Sequence, residues 1–322
     1  MNYLDYAATT PVNAEVLEVI TKEMASFGNP SSVYRIGREQ KQKIERVKKA
    51  ILSELQASPH DAIIFTSSGS EGNNLVFESI REHFAKEKGH IIVSAVEHPS
   101  VRKPAEFLEQ EGFDVTYLAP NKDGIVTVSE IEQALREDTR LVSVMTVNNE
   151  TGARFPIEEI AALLKYTPTY FHTDAVQAFA QEALTVDGID YLTASGHKIY
   201  APKGIGFLYK SKDAPIHALI KGGGQELGFR AGTENVPYIL GLEKAMQIVV
   251  AKRDELVQNY QELREYLTAK LSERGIEFEF NGCQFSLDKG RVGRGVVLPI
   301  LHTWFQVYRS CSRGRSKYHH VG

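Results

Sequence analysis

The sequence predicts an α/β fold: a mostly parallel central sheet flanked by helices, with a second, smaller and truncated α+β unit. Short apolar runs alternate with helical stretches from about residue 12 to 250, the runs are apolar on both faces, and the pattern changes beyond them. Strands covered on both sides lose the polar–apolar alternation of a one-sided sheet, and the intervening helices act as crossovers.

The elements follow in order. Helices are expected over 12–26 and 36–56, the second written "IGREQKQKIERVKKAILSELQ". The runs "AIIFTS" at 62–67, "HIIVSAV" at 90–96 and "DVTYLA" at 114–119 read as strands, with helices over 72–88, 100–111 and 129–136. Further strands are expected at 141–147, 169–175, 191–196 and 204–210, with a helix over 156–165. A long amphipathic stretch, 237–274, then leads into "GIEFEFNG", which reads as the first strand of another unit. The expected division is a large domain over 12–250 and a small-domain remnant made of 1–11 plus 251–282. An atypical basic tail occupies 283–322.

Composition excludes several classes. Of 322 residues, 42% are hydrophobic and 24% charged, with a formal net charge of −4, which favours neither nucleic acid nor a membrane surface. The start, "MNYLDYAATTP", has no basic segment followed by an apolar one, and no run of about 18 apolar residues occurs, so a cytoplasmic protein without a membrane span is expected. Cys283 and Cys311 are the two cysteines, too few for a disulfide framework and without metal-site spacing. Residues 1–282 hold 30 Lys and Arg against 40 Asp and Glu, whereas 283–322 hold 7 against Asp288 alone.

Polar groups gather at the predicted strand ends, where open α/β sheets bind ligands. "SGSEGNN" (68–74) places Gly69 and Ser70 at a helix start, an anion pocket by its backbone N–H groups, although taken alone a simple capped strand-to-helix turn is the better reading of it. No Gly-Lys-Ser/Thr follows, so it is not a Walker loop, and "GGGQELG" (222–228) lacks the dinucleotide-binding context. His98 follows Glu97 at a strand end, and Asn149 lies in "NNETG"; each alone fits an ordinary loop. "FHTDAVQ" is stronger. Asp174 closes an apolar strand and needs a partner, with Gln177 three residues on. His172 reads as a core residue. "SGHK" offers Ser195 and His197 to an anion and Lys198 as an amine that desolvation would activate. Lys203, in a Pro/Gly turn, is the rival. Phosphate, ring nitrogen, phenolic oxygen and aldehyde occur together in pyridoxal 5′-phosphate, where an Asp customarily partners the pyridine nitrogen.

The segments "YLDYAATTP", "FGNPSS", "FTSSGSEGNN", "VEHPSV", "VNNETG", "HTDAVQ", "SGHKIYAPKGIGFLY" and "GGGQELGFRAGTEN" occur in this order over roughly residues 1–282. Together they resemble the cysteine desulfurases of the class V aminotransferase family. The resemblance implies the aspartate aminotransferase-like fold of pyridoxal-phosphate-dependent transferases. It implies that Lys198 joins the cofactor aldehyde, Asp174 holds the pyridine nitrogen and His98 stacks on the ring. Asn149 and Gln177 would bond the phenolic oxygen, and Gly69, Ser70, Ser195 and His197 the phosphate. Thr233 would reach the phosphate of a neighbouring subunit in a homodimer. The implied reaction turns L-cysteine into L-alanine and leaves an enzyme persulfide. A sulfur-acceptor protein then takes the sulfur for iron–sulfur clusters or tRNA thiolation, with no direct nucleic-acid contact. Two alternatives are a related lyase or aminotransferase of the same fold, and an inactive dimerising fragment that acts as a binding protein.

The family places its nucleophilic cysteine in a Ser/Gly-rich loop beyond residue 300, followed by an arginine-bearing strand for the substrate carboxylate. Here the tail reads "CQFSLDKGRVGRGVVLPILHTWFQVYRSCSRGRSKYHHVG". Its abrupt charge change reads as a frame shift near codon 283, and it predicts a poorly ordered tail. Cys311, among small and basic neighbours, is the candidate nucleophile, ahead of Cys283. His319 and His320 read as solvated.

Overall fold

The computed structural model describes residues 3–276, 278–280 and 305–307. Its helices are α1 (Ala14–Met24), α2 (Arg35–Glu54), α3 (Gly69–His83), α4 (Pro99–Gln110), α5 (Val128–Ala134), α6 (Ile157–Leu164), α7 (Val236–Ala251) and α8 (Arg253–Glu273). The main strands are β1 (Ala62–Thr66), β2 (His90–Ser94), β3 (Asp114–Leu118), β4 (Thr139–Ser143), β5 (Tyr170–Asp174), β6 (Tyr191–Ser195) and β7 (Gly206–Lys210). Two short strands, β8 (Phe278–Phe280) and β9 (Phe305–Val307), pair antiparallel with each other.

The seven main strands form one sheet in the order β1-β7-β6-β5-β4-β2-β3. β7 runs antiparallel to β1 and β6, and the remaining pairs are parallel. Successive strand residues feed opposite faces. Ile63, Ile92, Val142 and Leu192 join one buried cluster with residues of α1, α2, α6 and α7. Ile64, Ile91, Leu141 and Tyr191 join the other, under α3 and α4. This two-sided burial is what the continuous apolar runs required. Among the described residues no helix is long and apolar enough to cross a membrane.

Three expectations need adjustment. The fourth strand ends at Ser143 rather than continuing to Val147. Beyond it the Val144 and Thr146 N–H groups still donate to the carbonyls of His172 and Asp174. The single stretch 237–274 is two helices, because the backbone at Lys252 (φ −109°, ψ 9°) leaves helical geometry. Within the tail, β9 is a described strand; the rest of 283–322, with Cys283, Cys311 and the His319–His320 pair, lies outside the described residues.

Candidate active site

The sheet sets the site by its parallel strands. β2, β4, β5 and β6 point their carboxyl ends the same way, so the loops after them converge. There a cavity of about 700 Å³ is lined by Gly69, Ser70, His98, Asn149, Asp174, Gln177, Ser195, His197 and Lys198, nine residues singled out from the sequence. Thr233 stands exposed outside it, as does Lys203. A second cavity, about 750 Å³, is lined by Asp61, Asp187, Asp190 and Lys212 and by none of the predicted site residues.

β6 runs into a one-turn 3-10 helix, Gly196–Lys198, which aims Lys198 back over the sheet. Its Nζ donates to the carbonyls of Ala7 and, at 2.9 Å, Ala8. Burial holds the Lys198 amine below its ordinary pKa, while Asp174, Asp5 and Glu150 pull the other way. The same wall is tied together through Thr10, whose N–H and Oγ1 both donate to the His197 carbonyl at 2.9 Å. Gln177 Nε2 also donates to Ala7 O, at 3.1 Å.

Asp174 ends β5 and is 6% exposed. Its Oδ1 accepts from Val176 N at 2.9 Å and its Oδ2 from Asn73 Nδ2 at 2.8 Å. Burial raises the carboxyl's pKa, and the two donated bonds together with His98 and Lys198 oppose that rise. His98 caps α4 with Nδ1 accepting from Ser100 N at 3.1 Å. His197 Nδ1 lies 3.1 Å from Thr9 Oγ1, and burial beside Lys198 drops its pKa to about 4, so its ring is neutral. Asn149 Nδ2 donates to Glu150 Oε1 at 2.6 Å.

Helix α3 opens directly against the cavity. Ser68 caps it by accepting from Glu71 N, and a Cβ placed on Gly69 would come within 2.7 Å of Val176 Cγ2. Glycine therefore lets the helix start, with its unpaired N–H groups, sit against the loop after Asp174. His172, by contrast, is core: Nδ1 meets Ser143 Oγ at 2.8 Å and Nε2 meets Thr193 Oγ1 at 3.2 Å.

Sequence reasoning passed over three participants. Asn73 lies within the quoted "SGSEGNN" but was given no role. Glu97, next to His98, is 4% exposed; Oε1 accepts from Met145 N at 2.6 Å while Oε2 has no partner. Burial, reinforced by Asp174, pushes its carboxyl well above the usual range. The third is the carbonyl pair of Ala7 and Ala8. Its signal was the small-residue run in "DYAATTP", which allows close backbone approach.

A buried carboxylate, a desolvated amine and a helix start around one cavity fit pyridoxal phosphate. Asp174 supplies an acceptor for a protonated ring nitrogen, Lys198 an amine for the aldehyde, and α3 donors for the phosphate. Fold and site thus define a pyridoxal-phosphate enzyme of the α/β transferase type.

The comparisons with known proteins agree. The profile described as "Aminotransferase class-V" matches residues 2–286. The cysteine desulfurase IscS of Dictyoglomus turgidum is 43% identical over 283 residues, covering 87% of this chain and 72% of that protein. A solved NifS-like protein superposes with a TM-score of 0.82 at 36% identity, over 86% of this chain and 77% of its own. A structure titled "SspA in complex with cysteine" gives 0.79 at 38%, over 87% and 80%. The chain belongs to the aminotransferase class-V family, among its pyridoxal-phosphate-dependent cysteine desulfurases.

Proposed function

We infer that the protein takes L-cysteine as substrate, releases L-alanine and passes the sulfur on as a persulfide. The observation that carries this reading is the meeting of Lys198, Asp174 and the start of α3 in one cavity. Bound there, pyridoxal phosphate supplies an electron sink for charge developing at the substrate's α-carbon. The chain's residues do the rest. Lys198 brings its amine into the cavity, where burial favours the nucleophilic neutral form, and it is the residue placed to move a proton at the α-carbon. Asp174 keeps its ring-nitrogen partner protonated. His98 faces the cavity from the opposite loop and is the second acid–base candidate. A cysteine thiolate attacks the substrate sulfur; its C–S bond breaks, an S–S bond forms, and the carbon takes a proton. We assign that thiol to Cys311, with Cys283 as the rival.

The finer reading includes a homodimer in which Thr233 reaches the partner's phosphate, a cytoplasmic location, and sulfur delivery to an acceptor protein for iron–sulfur clusters or tRNA thiolation. Support for the dimer comes from apolar side chains turned to solvent: Phe27 is 88% exposed, Val33 83% and Leu227 72%. The change of composition at residue 283 and the end of the family match at residue 286 favour one competing reading, an inactive dimerising fragment.

Purified protein is expected to be yellow with pyridoxal phosphate and to lose the colour in Lys198→Ala. Cysteine-dependent alanine and sulfide are then measured in Cys311→Ser and Cys283→Ser. A colourless wild type overturns the enzyme reading. Alanine formation unaffected by either cysteine change points to a related lyase or aminotransferase instead.

A further inference from the structure

Asn73 sits on α3, 0% exposed, and belongs to none of the roles assigned above. Its Nδ2 donates twice, to Asp174 Oδ2 at 2.8 Å and to Ser100 Oγ at 2.9 Å. Ser100 Oγ lies 2.7 Å from His98 Nδ1. The side-chain oxygen of Asn73 is buried with no partner. A buried amide with both hydrogens used and its acceptor orphaned is held for its donors.

The polarity of this chain is fixed. A carboxylate oxygen and a backbone N–H cannot exchange roles, so Asn73 donates at one end and His98 Nδ1 accepts from Ser100 N at the other. With both Nδ2 hydrogens given away, the Ser100 hydroxyl accepts from Asn73 and donates to Nδ1. His98 therefore carries its proton on Nε2.

We propose that Asn73 is a positioning residue that joins Asp174 to His98 through the Ser100 hydroxyl, fixing the carboxylate's orientation and supporting the imidazole in the tautomer that the Ser100 N–H selects. The proposal rests on the cofactor reading of the cavity. Asp174 faces Glu97 from the loop after β2, His98 from the same loop and Lys198 from the turn after β6. Among the described residues Asn73 is the neutral side chain that donates to it, and so can stabilise its charge without changing the net charge of the site.

The test uses two variants and two readouts, after circular dichroism confirms a native fold. Asn73→Ala removes both donors. It is expected to weaken pyridoxal phosphate binding to the apoprotein by about tenfold or more, the range of a hydrogen bond to a charged group. Ser100→Ala cuts the chain beyond Asp174. It is expected to leave that affinity within about twofold, while moving the ring-nitrogen signals of His98 in ¹⁵N-histidine NMR of the apoprotein. His98→Gln assigns those signals. The Nδ1 signal of wild type is expected at the position of an unprotonated acceptor, and Asn73→Ala is expected to shift it as well. If Asn73→Ala leaves both affinity and His98 signals unchanged while Asp174→Ala abolishes binding, Asn73 has no positioning role and the cofactor reading survives. If wild type binds no pyridoxal phosphate, the cofactor reading itself fails. A wild-type His98 protonated at Nδ1 overturns the proposed polarity.

Discussion

His172 and Lys198 show burial acting in one direction on two cations. Both are held towards the neutral form, His172 to a pKa of about 3. Between pH 6.5 and about 3 the unfolded chain binds a proton at His172 that the folded chain refuses. Stability present above pH 6.5 is therefore lost as pH falls through this window, by about 1.4 kcal/mol per pH unit from this residue. Urea unfolding of wild type and His172→Gln at pH 7, 6 and 5 isolates it: the variant is expected to lose less stability on acidification, and equal losses would refute the assignment. Lys198→Arg separates amine chemistry from charge. A guanidinium keeps the charge but does not condense with an aldehyde, so the variant is expected to be colourless. Asp174 and Lys198 were legible in the sequence because each is a charged residue against an apolar run. Asn73 and Glu97 were not, since their burial arises from α3 meeting the end of β5 and the loop after β2 meeting the segment after β4, and no local pattern encodes those contacts.

At the scale of elements, α3 depends on glycine at two points. A Cβ at Gly72 would meet Thr193 Cγ2 at 2.8 Å, as one at Gly69 would meet Val176. Gly69→Ala is expected to destabilise by about 1–3 kcal/mol through overpacking and to weaken cofactor retention, since it pushes the helix start off the cavity. Thermal melts of the apoprotein and cofactor titration read the two effects separately. The loop before α7 is anchored differently. Glu226 is buried at the sheet's edge, where its Oε2 accepts from Phe65 N at 3.0 Å and from Lys48 Nζ at 2.8 Å. Burial raises its carboxyl despite Lys48. The anchoring forces Glu226 and Leu227 to φ values of 45° and 60°, a left-handed pair without glycine. Lys48→Met strands the carboxylate and is expected to cost about 3 kcal/mol in urea unfolding. Strand and helix order was readable from apolar periodicity to within a few residues. The break at Lys252 was not, because α7 and α8 continue the same helical composition and the bend follows from what each packs against.

The described residues are held unevenly along the chain. α8 has no buried residue along its length, and Leu263 and Tyr266 are 51% and 64% exposed. We propose the division between 12–250 and the segment beginning at 251 on that ground. Limited proteolysis is expected to cut beyond residue 250, in the tail and then in α8, before it touches the sheet, and to leave the large domain intact; initial cleavage inside the sheet would contradict the division. Leu263→Glu with Tyr266→Glu is expected to reduce non-specific self-association in sedimentation without altering cofactor affinity. The opposite end of the chain is stitched down instead, with Thr10 and Asn13 bonded to the carbonyls of His197 and Tyr200 and the Ala7 and Ala8 carbonyls receiving Lys198. A single nick between Ala8 and Thr10 would spare every sheet strand yet take away both acceptors of the reactive amine. Trimming at the front of a stored apoprotein would thus show as poorer uptake of added cofactor well before any loss of secondary structure.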